Sequence, residues 1–185
     1  MVSERKIVQP EVTSTFKNRY GFYTHTTRDF LRCPKCYYAI YPTSAVGRFD
    51  TIIGYPVAYG VLYWGAVEVK NGTKTNLSFS RIESTQRTWY SKNKDKYDCW
   101  LWFNIGERIG DKKYPRRTWL IPFSLLLTLE KSLDRKSISP DCKEIREYEL
   151  RWAGTHQWEI PTGHVLWENI KNMKVKEGVV YEAVG

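Results

Sequence analysis

The sequence predicts an α/β (or α+β) protein in which helices flank a mixed β-sheet. Several segments are rich in β-branched and aromatic residues, which is typical of strands. Other segments carry apolar residues at helical spacing. They follow one another in the order helix, strand, strand, strand, helix, strand, strand, helix, which is the pattern of helices packed on a sheet. A chain of 185 residues is long enough for one domain with one core.

The first part of the chain predicts one helix followed by three strands. Pro10 suits the first turn of a helix, and Gly21 suits its end. Between them, Val12, Phe16 and Tyr20 recur at helical spacing. The strands are indicated by β-branched and aromatic residues, and the turns by Pro, Gly and Asn. The predicted elements are a helix over about 10–20, strands over 22–27, 49–53 and 61–70, a hairpin turn over 55–60 and a turn at 71–72.

A capping box predicts the second helix. Ser80 and Glu83 have the spacing at which a serine caps a helix and a glutamate reaches back to it. We therefore predict a helix over about 81–92. Ile82, Gln86 and Trp89 fall on one stripe of this helix, and a glutamine in an apolar stripe is unexpected.

The remaining elements are predicted with decreasing detail. Residues 97–105 are apolar on both faces and predict a central strand. A further strand over 118–122 leads to Ser124, which can cap the next helix. In the last third, residues 158–170 indicate either a short strand and a helix or a loop packed by tryptophan. The other expectations are a basic, Tyr-rich loop insertion over 28–42, helical structure over 144–152, and an edge strand or disorder from 174.

Composition and charge narrow the function classes. The formal net charge is +9, which indicates a polyanionic partner such as nucleic acid, although a solvated basic surface is the alternative. No apolar run reaches about 18 residues, so we expect no membrane span. The first residues are polar without an apolar segment after them, so we expect no signal peptide and a cytoplasmic or nucleoid location. In that setting we expect the four cysteines to be thiols.

One charged constellation lies in the predicted hairpin. Asp50 heads one apolar run, and Glu68, Val69 and Lys70 end the next. Because side chains alternate along a strand, Glu68 and Lys70 point the same way and Val69 points into the opposite layer. Two acids and a lysine at the ends of adjacent strands are costly without a purpose. The alternative is an ion pair on an edge strand that arose by chance.

A divalent metal next to a phosphate would explain this cluster. Mg²⁺ prefers hard oxygen ligands and keeps several waters. Asp50 and Glu68 would supply two carboxylates, and the backbone carbonyl of Val69 a third oxygen. Lys70 could hold an attacking water and offset negative charge in the transition state.

These residues resemble a known nuclease signature. Asp50 and Glu68-Val69-Lys70 are similar to the PD-(D/E)xK motif, although Phe49 stands where the motif has proline. The segment from Gly21 resembles the first strand of Holliday junction resolvases. Residues 76–82 with Gln86 are similar to the segment after the motif in RecU-type resolvases.

The resemblance implies fold, activity and partners together. It implies a single nuclease domain over 1–185, with a restriction-endonuclease-like core in αβββαβ order over about 10–135. Residues 136–185 would be a C-terminal extension for dimerisation or DNA contact. It further implies a homodimer that uses Mg²⁺, or Mn²⁺ in its place, to hydrolyse phosphodiester bonds in four-way DNA junctions.

The first helix and Gln86 could complete this site. In the family a glutamate from the first helix often contributes, and Glu11 is a better candidate than Glu4. The alternative for Glu11 is a carboxylate favoured by the helix dipole. Gln86 could reach Lys70 or a metal-bound water, or it could bond to backbone at the core margin.

Basic and aromatic residues suggest where DNA would lie. Interleaved with Tyr and Trp, they suit contacts with phosphates and unstacked bases, and a solvated surface is the alternative. We expect Trp152, Trp158 and Trp167 to be core or dimer contacts. The candidate DNA-binding residues are Arg28, Arg32, Lys35, Arg48, Lys74, Arg81 and Arg87.

Three alternatives to a junction resolvase remain open. One is another PD-(D/E)xK endonuclease of the restriction, homing or flap and single-strand type. A second is a DNA-binding module without catalysis. The third is a zinc-dependent nucleic-acid binder, because Cys33 and Cys36 have zinc-knuckle spacing. No second cysteine pair accompanies them, so we expect free thiols and no zinc.

Overall fold

The computed structural model describes residues 8–26, 31–32, 39–41, 49–57, 60–72, 76–106, 116–132 and 136–176. The helices are α1 (Val8–Thr13), α2 (Ser84–Asn93), α3 (Phe123–Ser132) and α4 (Val165–Lys176). A π-helix (Ser14–Arg19) continues α1, and two 3₁₀ turns cover Phe79–Arg81 and Lys143–Tyr148. The strands are β1 (Tyr23–Thr26), β2 (Leu31–Arg32), β3 (Ala39–Tyr41), β4 (Thr51–Val57), β5 (Gly60–Gly72), β6 (Leu77–Ser78), β7 (Asp98–Ile105), β8 (Arg117–Pro122), β9 (Ser137–Ile138), β10 (Glu149–Gly154) and β11 (Gln157–Glu159).

Seven of these strands form one mixed sheet. Their order is β1-β4-β5-β7-β8-β10-β11. β5 and β7 run parallel and are connected through α2, whereas the other neighbours are antiparallel. β7 lies between β5 and β8, as predicted for a strand that is apolar on both faces. The predicted class, a mixed sheet with helices packed on it, is confirmed.

Helices cover both faces of the sheet, and each face has its own apolar core. α1, its π-helical continuation and α4 cover one face, where Phe16 and Leu166 pack in one cluster with Val69. α2 and α3 cover the other face, where Leu126 packs in a cluster with Phe103. This division determines which helix each side chain of β5 meets.

The first helix ends where the sequence predicts, but its second half is wider than an α-helix. The predicted helix over about 10–20 is α1 followed by the π-helix. Gly21 has a φ of +72°, the left-handed conformation that glycine adopts at low cost. Its N–H donates to the Lys17 carbonyl at 3.1 Å, and the Phe22 N–H donates to the Phe16 carbonyl at 2.9 Å. The predicted stop at Gly21 is therefore confirmed.

The β4–β5 hairpin is longer than predicted. Tyr55 and Pro56, expected in a turn, pair with Tyr63 and Val61, with a register shift between them. A strand tolerates proline at such a bulge, and β1 covers β4 only as far as Gly54. The turn predicted at 71–72 is also wrong, because β7 is long enough to pair with both residues.

The last third contains more strand than predicted. Residues 144–152, expected to be helical, form the second 3₁₀ turn and then β10, which pairs with β8. Of the two alternatives for residues 158–170, the structure has the strand and the helix, β11 and α4. Residues 174–176 end α4 instead of starting an edge strand, and the rest of the tail lies outside the described residues.

Part of the Tyr-rich segment is paired. β2 and β3, which fall within the loop insertion predicted over 28–42, form a separate two-stranded sheet. The other residues of that segment lie outside the described part of the chain. No helix among the described residues has the length and apolar character needed to cross a membrane.

His164 is a buried ring that caps α4. Its Nε2 lies 2.9 Å from the Leu120 carbonyl, and its Nδ1 accepts the Leu166 N–H at 3.1 Å. Since Nδ1 accepts, Nε2 carries the proton and the ring is neutral. Burial lowers the pKa of His164, while the hydrogen bond to the Leu120 carbonyl and the nearby Glu147 act in the opposite direction.

This ring makes stability depend on pH. The unfolded chain binds a proton on His164 near pH 6.5, whereas the folded protein binds it only at lower pH, so its contribution to the free energy of unfolding falls below about pH 6.5. We expect His164→Asn to be destabilised relative to wild type at about pH 7.5, and this difference to shrink at about pH 5.5. Urea unfolding of both proteins at each pH measures it. An unchanged difference would mean that the fold accommodates the charged ring.

Candidate functional site

Strand register brings the two predicted carboxylates together. Thr51, the first residue of β4, pairs with Val67 of β5. The antiparallel register therefore sets Asp50, one residue earlier, opposite Glu68, one residue later. Both lie where β4 begins and at the level of Leu101 in the neighbouring β7. The chance explanation, an ion pair on an edge strand, does not fit, because β5 has neighbours on both sides.

Asp50 is held by two hydrogen bonds. Its Oδ2 accepts the Val69 N–H at 2.9 Å, and its Oδ1 accepts the side-chain amide of Gln9 at 3.0 Å. The N–H and C=O of one strand residue point toward the same neighbouring strand. The Val69 carbonyl is therefore directed to the side of β5 on which Asp50 lies. The Val69 side chain packs in the core under α1 and α4, in the layer predicted for it.

Glu68 has one oxygen with two donors and one with none. Its Oε1 accepts the Lys70 ammonium at 2.7 Å and the Gln86 amide at 2.6 Å. Its Oε2 is buried and has no hydrogen-bond partner among the described residues. Glu68 is 2% exposed and Lys70 is 8% exposed. A buried carboxylate oxygen without a donor is costly, which suggests that an additional ligand belongs there.

A bound cation would stabilise the charges of Asp50 and Glu68. Burial, followed by the Asp50 carboxylate, raises the pKa of Glu68 to about 8, while Lys70 and Gln86 act in the opposite direction. One lysine does not balance two carboxylates that share a partly desolvated space. A divalent ion would favour ionised Glu68 and occupy its unpartnered oxygen.

The donor set fits Mg²⁺ or Mn²⁺. Two carboxylates and a backbone carbonyl are hard oxygen donors, and water completes the coordination of such ions. Among the described residues, no group of three or more His, Cys, Asp or Glu side chains comes together as a metal site. The candidate site therefore depends on the Asp50 and Glu68 pair with the Val69 carbonyl.

Two hydrogen bonds of Gln86 explain why a polar residue stands in the apolar stripe of α2. The predicted capping box is wrong by one helical turn, because Glu83 is the N-cap and Gln86 is the third helical residue. Gln86 Oε1 accepts the Glu83 N–H at 3.0 Å, which leaves its Nε2 to donate to Glu68. Ser80 lies in the preceding 3₁₀ turn. The start of α2 thus fixes the donor that orients Glu68.

Glu11 belongs to a different cluster from the one expected. Its carboxylate is buried, accepts two hydrogen bonds from Arg116 at 2.6 and 2.8 Å, and accepts one from Trp158 Nε1 at 3.2 Å. The residue of α1 that contacts the site is Gln9, through Asp50. These contacts explain why a glutamate is buried at this position of α1. Glu4, the poorer candidate, lies outside the described residues.

The sequence matches no protein-family model and no curated protein. The interpretation of the site therefore depends on its geometry.

Arg81 and Arg87, two described arginines of the predicted DNA-binding set, have partners within the fold. Arg81 donates to the Asn71 carbonyl at 2.6 Å. Arg87 pairs with Glu130 of α3 and donates to the carbonyls of Phe79 and Ile82. We therefore leave Arg87 out of the proposed DNA surface. Arg32 lies in β2, and the residues outside the described part of the chain are Arg28, Lys35, Arg48 and Lys74.

The structure describes two of the four cysteines. Cys33 and Cys36 lie outside the described residues, Cys99 is buried, and the Cys142 thiol donates to Glu144 at 2.8 Å.

Among the three late tryptophans, Trp158 is buried and Trp167 packs against the core, as expected. Trp152 differs from both because half of its side chain is exposed.

Proposed function

We propose that this protein is a metal-dependent DNA endonuclease of the PD-(D/E)xK type. The observation that carries the proposal is the arrangement around Glu68. Lys70 and Gln86 both donate to one of its oxygens, the other oxygen is buried and has no partner in the part of the chain that the structure describes, and Asp50 lies opposite on the adjacent strand. Buried Glu68 beside part-buried Asp50, with a lysine and a carboxylate oxygen to which no described residue donates, suits a divalent ion beside a phosphate.

The chain order supports a restriction-endonuclease-like core. α1, β1, β4, β5, α2 and β7 follow one another in an αβββαβ arrangement, interrupted by the short strands β2, β3 and β6. The α2 crossover makes β5 parallel to β7 and places Gln86 over Glu68. β10 and β11 extend the sheet, and together with α4 they complete one of its cores, which supports a single nuclease domain with residues 136–185 as an integral extension.

Each residue has a role in this proposal. Asp50, Glu68 and the Val69 carbonyl would hold Mg²⁺ or Mn²⁺, and the bound ion would supply Lewis acidity to a substrate phosphate. Lys70, held beside Glu68, would orient the attacking water and offset the negative charge that develops on the phosphate. Gln86 and Gln9 are positioning residues, since they orient Glu68 and Asp50.

For the substrate we propose branched DNA, with the Holliday junction first among its forms. The formal charge of +9 favours a polyanion, and a cytoplasmic or nucleoid protein would meet DNA there. A homodimer would place two sites about a two-fold axis, which suits symmetric cuts in a four-way junction. Cleavage of a junction, a linear duplex and a flap side by side separates this proposal from restriction-like, homing and flap or single-strand nucleases.

Metal binding itself can be measured without DNA. At about 100 times its dissociation constant, Mn²⁺ should stabilise the fold by about 2.7 kcal/mol and raise the melting temperature by roughly 5–10 °C. Asp50→Asn should lose this rise, because it removes a charged ligand. Asp141→Asn is the matched control, since Asp141 is an exposed partner of Arg117 and should respond as wild type does. A wild-type protein with no Mn²⁺ response would favour the non-catalytic DNA-binding module.

A further inference from the structure

The β10–β11 hairpin carries an aromatic side chain that the proposed catalytic site does not use. Trp152 is 51% exposed, whereas Trp158, its cross-strand partner, is buried. The two rings meet edge to face, with centroids 5.0 Å apart. Within the described part of the chain, Trp152 and Met173 are the exposed large hydrophobic residues. Trp152 therefore presents about half of its surface to solvent.

Arg116 is fixed against this surface. Its guanidinium carbon lies 5.8 Å from the Trp152 ring centroid and 6.0 Å from that of Trp158. Both of its terminal nitrogens donate to Glu11, which is buried beneath it. The cation is thus held beside the ring before any ligand arrives, so binding requires little ordering of either side chain.

The backbone of the hairpin tip is strained. Thr155 and His156 occupy its two turn positions with φ of 47° and 59°, where Asn and Gly are the usual residues. A β-branched residue in this conformation is a genuine outlier, and such positions cluster at ligand-binding sites. The His156 ring lies 3.8 Å from the Glu11 carboxylate, so the tip is near the same cluster as Arg116.

The hairpin surface and the acid pair lie at the same end of the sheet. Gln9 of α1 contacts Asp50, and Glu11 of the same helix contacts Arg116. β10 is three strands from β5. Strand spacing and residue rise then separate Trp152 from Glu68 by on the order of 20 Å. Trp152 pairs with Trp158 on the α1 face, whereas Glu68 meets Gln86 of α2 on the other face, so the hairpin surface is separate from the acid pair.

We propose that Trp152, supported by Arg116, binds an unpaired nucleobase of single-stranded or branched DNA by stacking. Every base offers a π face, and an aromatic ring beside a cation is the usual platform for it. The choice of DNA rests on the proposed function, but the binding does not depend on cleavage. A second copy of the chain fits less well. A stable dimer interface buries about 800 Å² per partner around an apolar centre, whereas the described residues expose two large hydrophobic side chains, Trp152 and Met173.

Binding of labelled oligothymidine to the full chain tests this proposal. In buffer with EDTA, where metal-dependent cleavage is off, fluorescence anisotropy should show Trp152→Ala binding at least about fivefold more weakly than wild type. Trp152→Phe should recover most of this loss. An abasic oligonucleotide of equal length, which keeps the phosphates, should bind wild type and Trp152→Ala equally. Met173→Ala, the loss of the other exposed hydrophobic side chain, should bind oligothymidine as wild type does.

Other results would overturn the proposal in distinct ways. Unchanged oligothymidine binding by Trp152→Ala, or equal weakening with the abasic strand, removes base stacking. A shift in sedimentation with unchanged DNA binding would identify Trp152 as a contact between copies. If wild type binds through Trp152 but neither Mn²⁺ nor Mg²⁺ supports cleavage, the endonuclease fails and the base-binding surface stands.

Discussion

We expect Glu68→Gln to abolish Mg²⁺-dependent cleavage of a four-way junction, with a loss of at least about a thousandfold in rate. The substitution removes the ionised ligand at the Oε2 position, which has no partner among the described residues. It can also place an NH₂ group where the metal needs an oxygen lone pair. Its oxygen can still accept from Lys70 and Gln86, so we expect the fold and junction binding to persist. Asp50→Asn should have the same effect. Cleavage of labelled junctions on denaturing gels gives the rate, and a gel shift gives binding.

The matched control for this change is Glu149→Gln. Glu149 of β10 pairs with Arg117 of β8 and has no part in the acid pair, so this variant should cut at a rate near that of wild type. Binding measured on the same preparations separates lost chemistry from lost substrate. Cleavage by Glu68→Gln at the wild-type rate in Mg²⁺ would contradict the proposed centre.

The central geometry of the site follows from local rules that the sequence displays. Alternation along β5 puts Glu68 and Lys70 on one face and Val69 on the other. A hairpin between two neighbouring apolar runs then brings Asp50 to the same level. Gln86 was visible as an anomaly in an apolar stripe, and its partner is the nearest buried acid. Strand and helix periodicity, together with one hairpin, are therefore enough to predict that these residues meet.

The remaining features depend on contacts distant in the sequence. Nothing in the first helix distinguishes Gln9 from Glu11, because Arg116 and Trp158, which bind Glu11, come more than a hundred residues later. From the sequence alone Arg87 is a candidate DNA-binding residue, but the fold pairs it with Glu130 of α3, 43 residues later. Residues 144–152 have helical composition, yet pairing with β8 makes their second half a strand.

Glu11→Ala should lower the free energy of unfolding by about 3 kcal/mol, the lower end of the range for breaking a buried ion pair. The change leaves the Arg116 guanidinium and the Trp158 N–H without their acceptor, and Arg116 is one-third exposed, which limits the cost. Glu159→Ala, which removes an exposed partner 3.9 Å from Arg19, should change stability by less than about 0.5 kcal/mol. Urea unfolding of the three proteins measures both values.

The same variant decides between the two interpretations of Glu11. If its role is to hold Arg116 and the β11 strand, Glu11→Ala should lose stability but keep the full rise in melting temperature with Mn²⁺. A metal ligand would show the reverse, with a lost Mn²⁺ response and little change in unfolding without metal. The bidentate contact with Arg116 and the hydrogen bond from Trp158 already occupy both carboxylate oxygens, so we expect the first result.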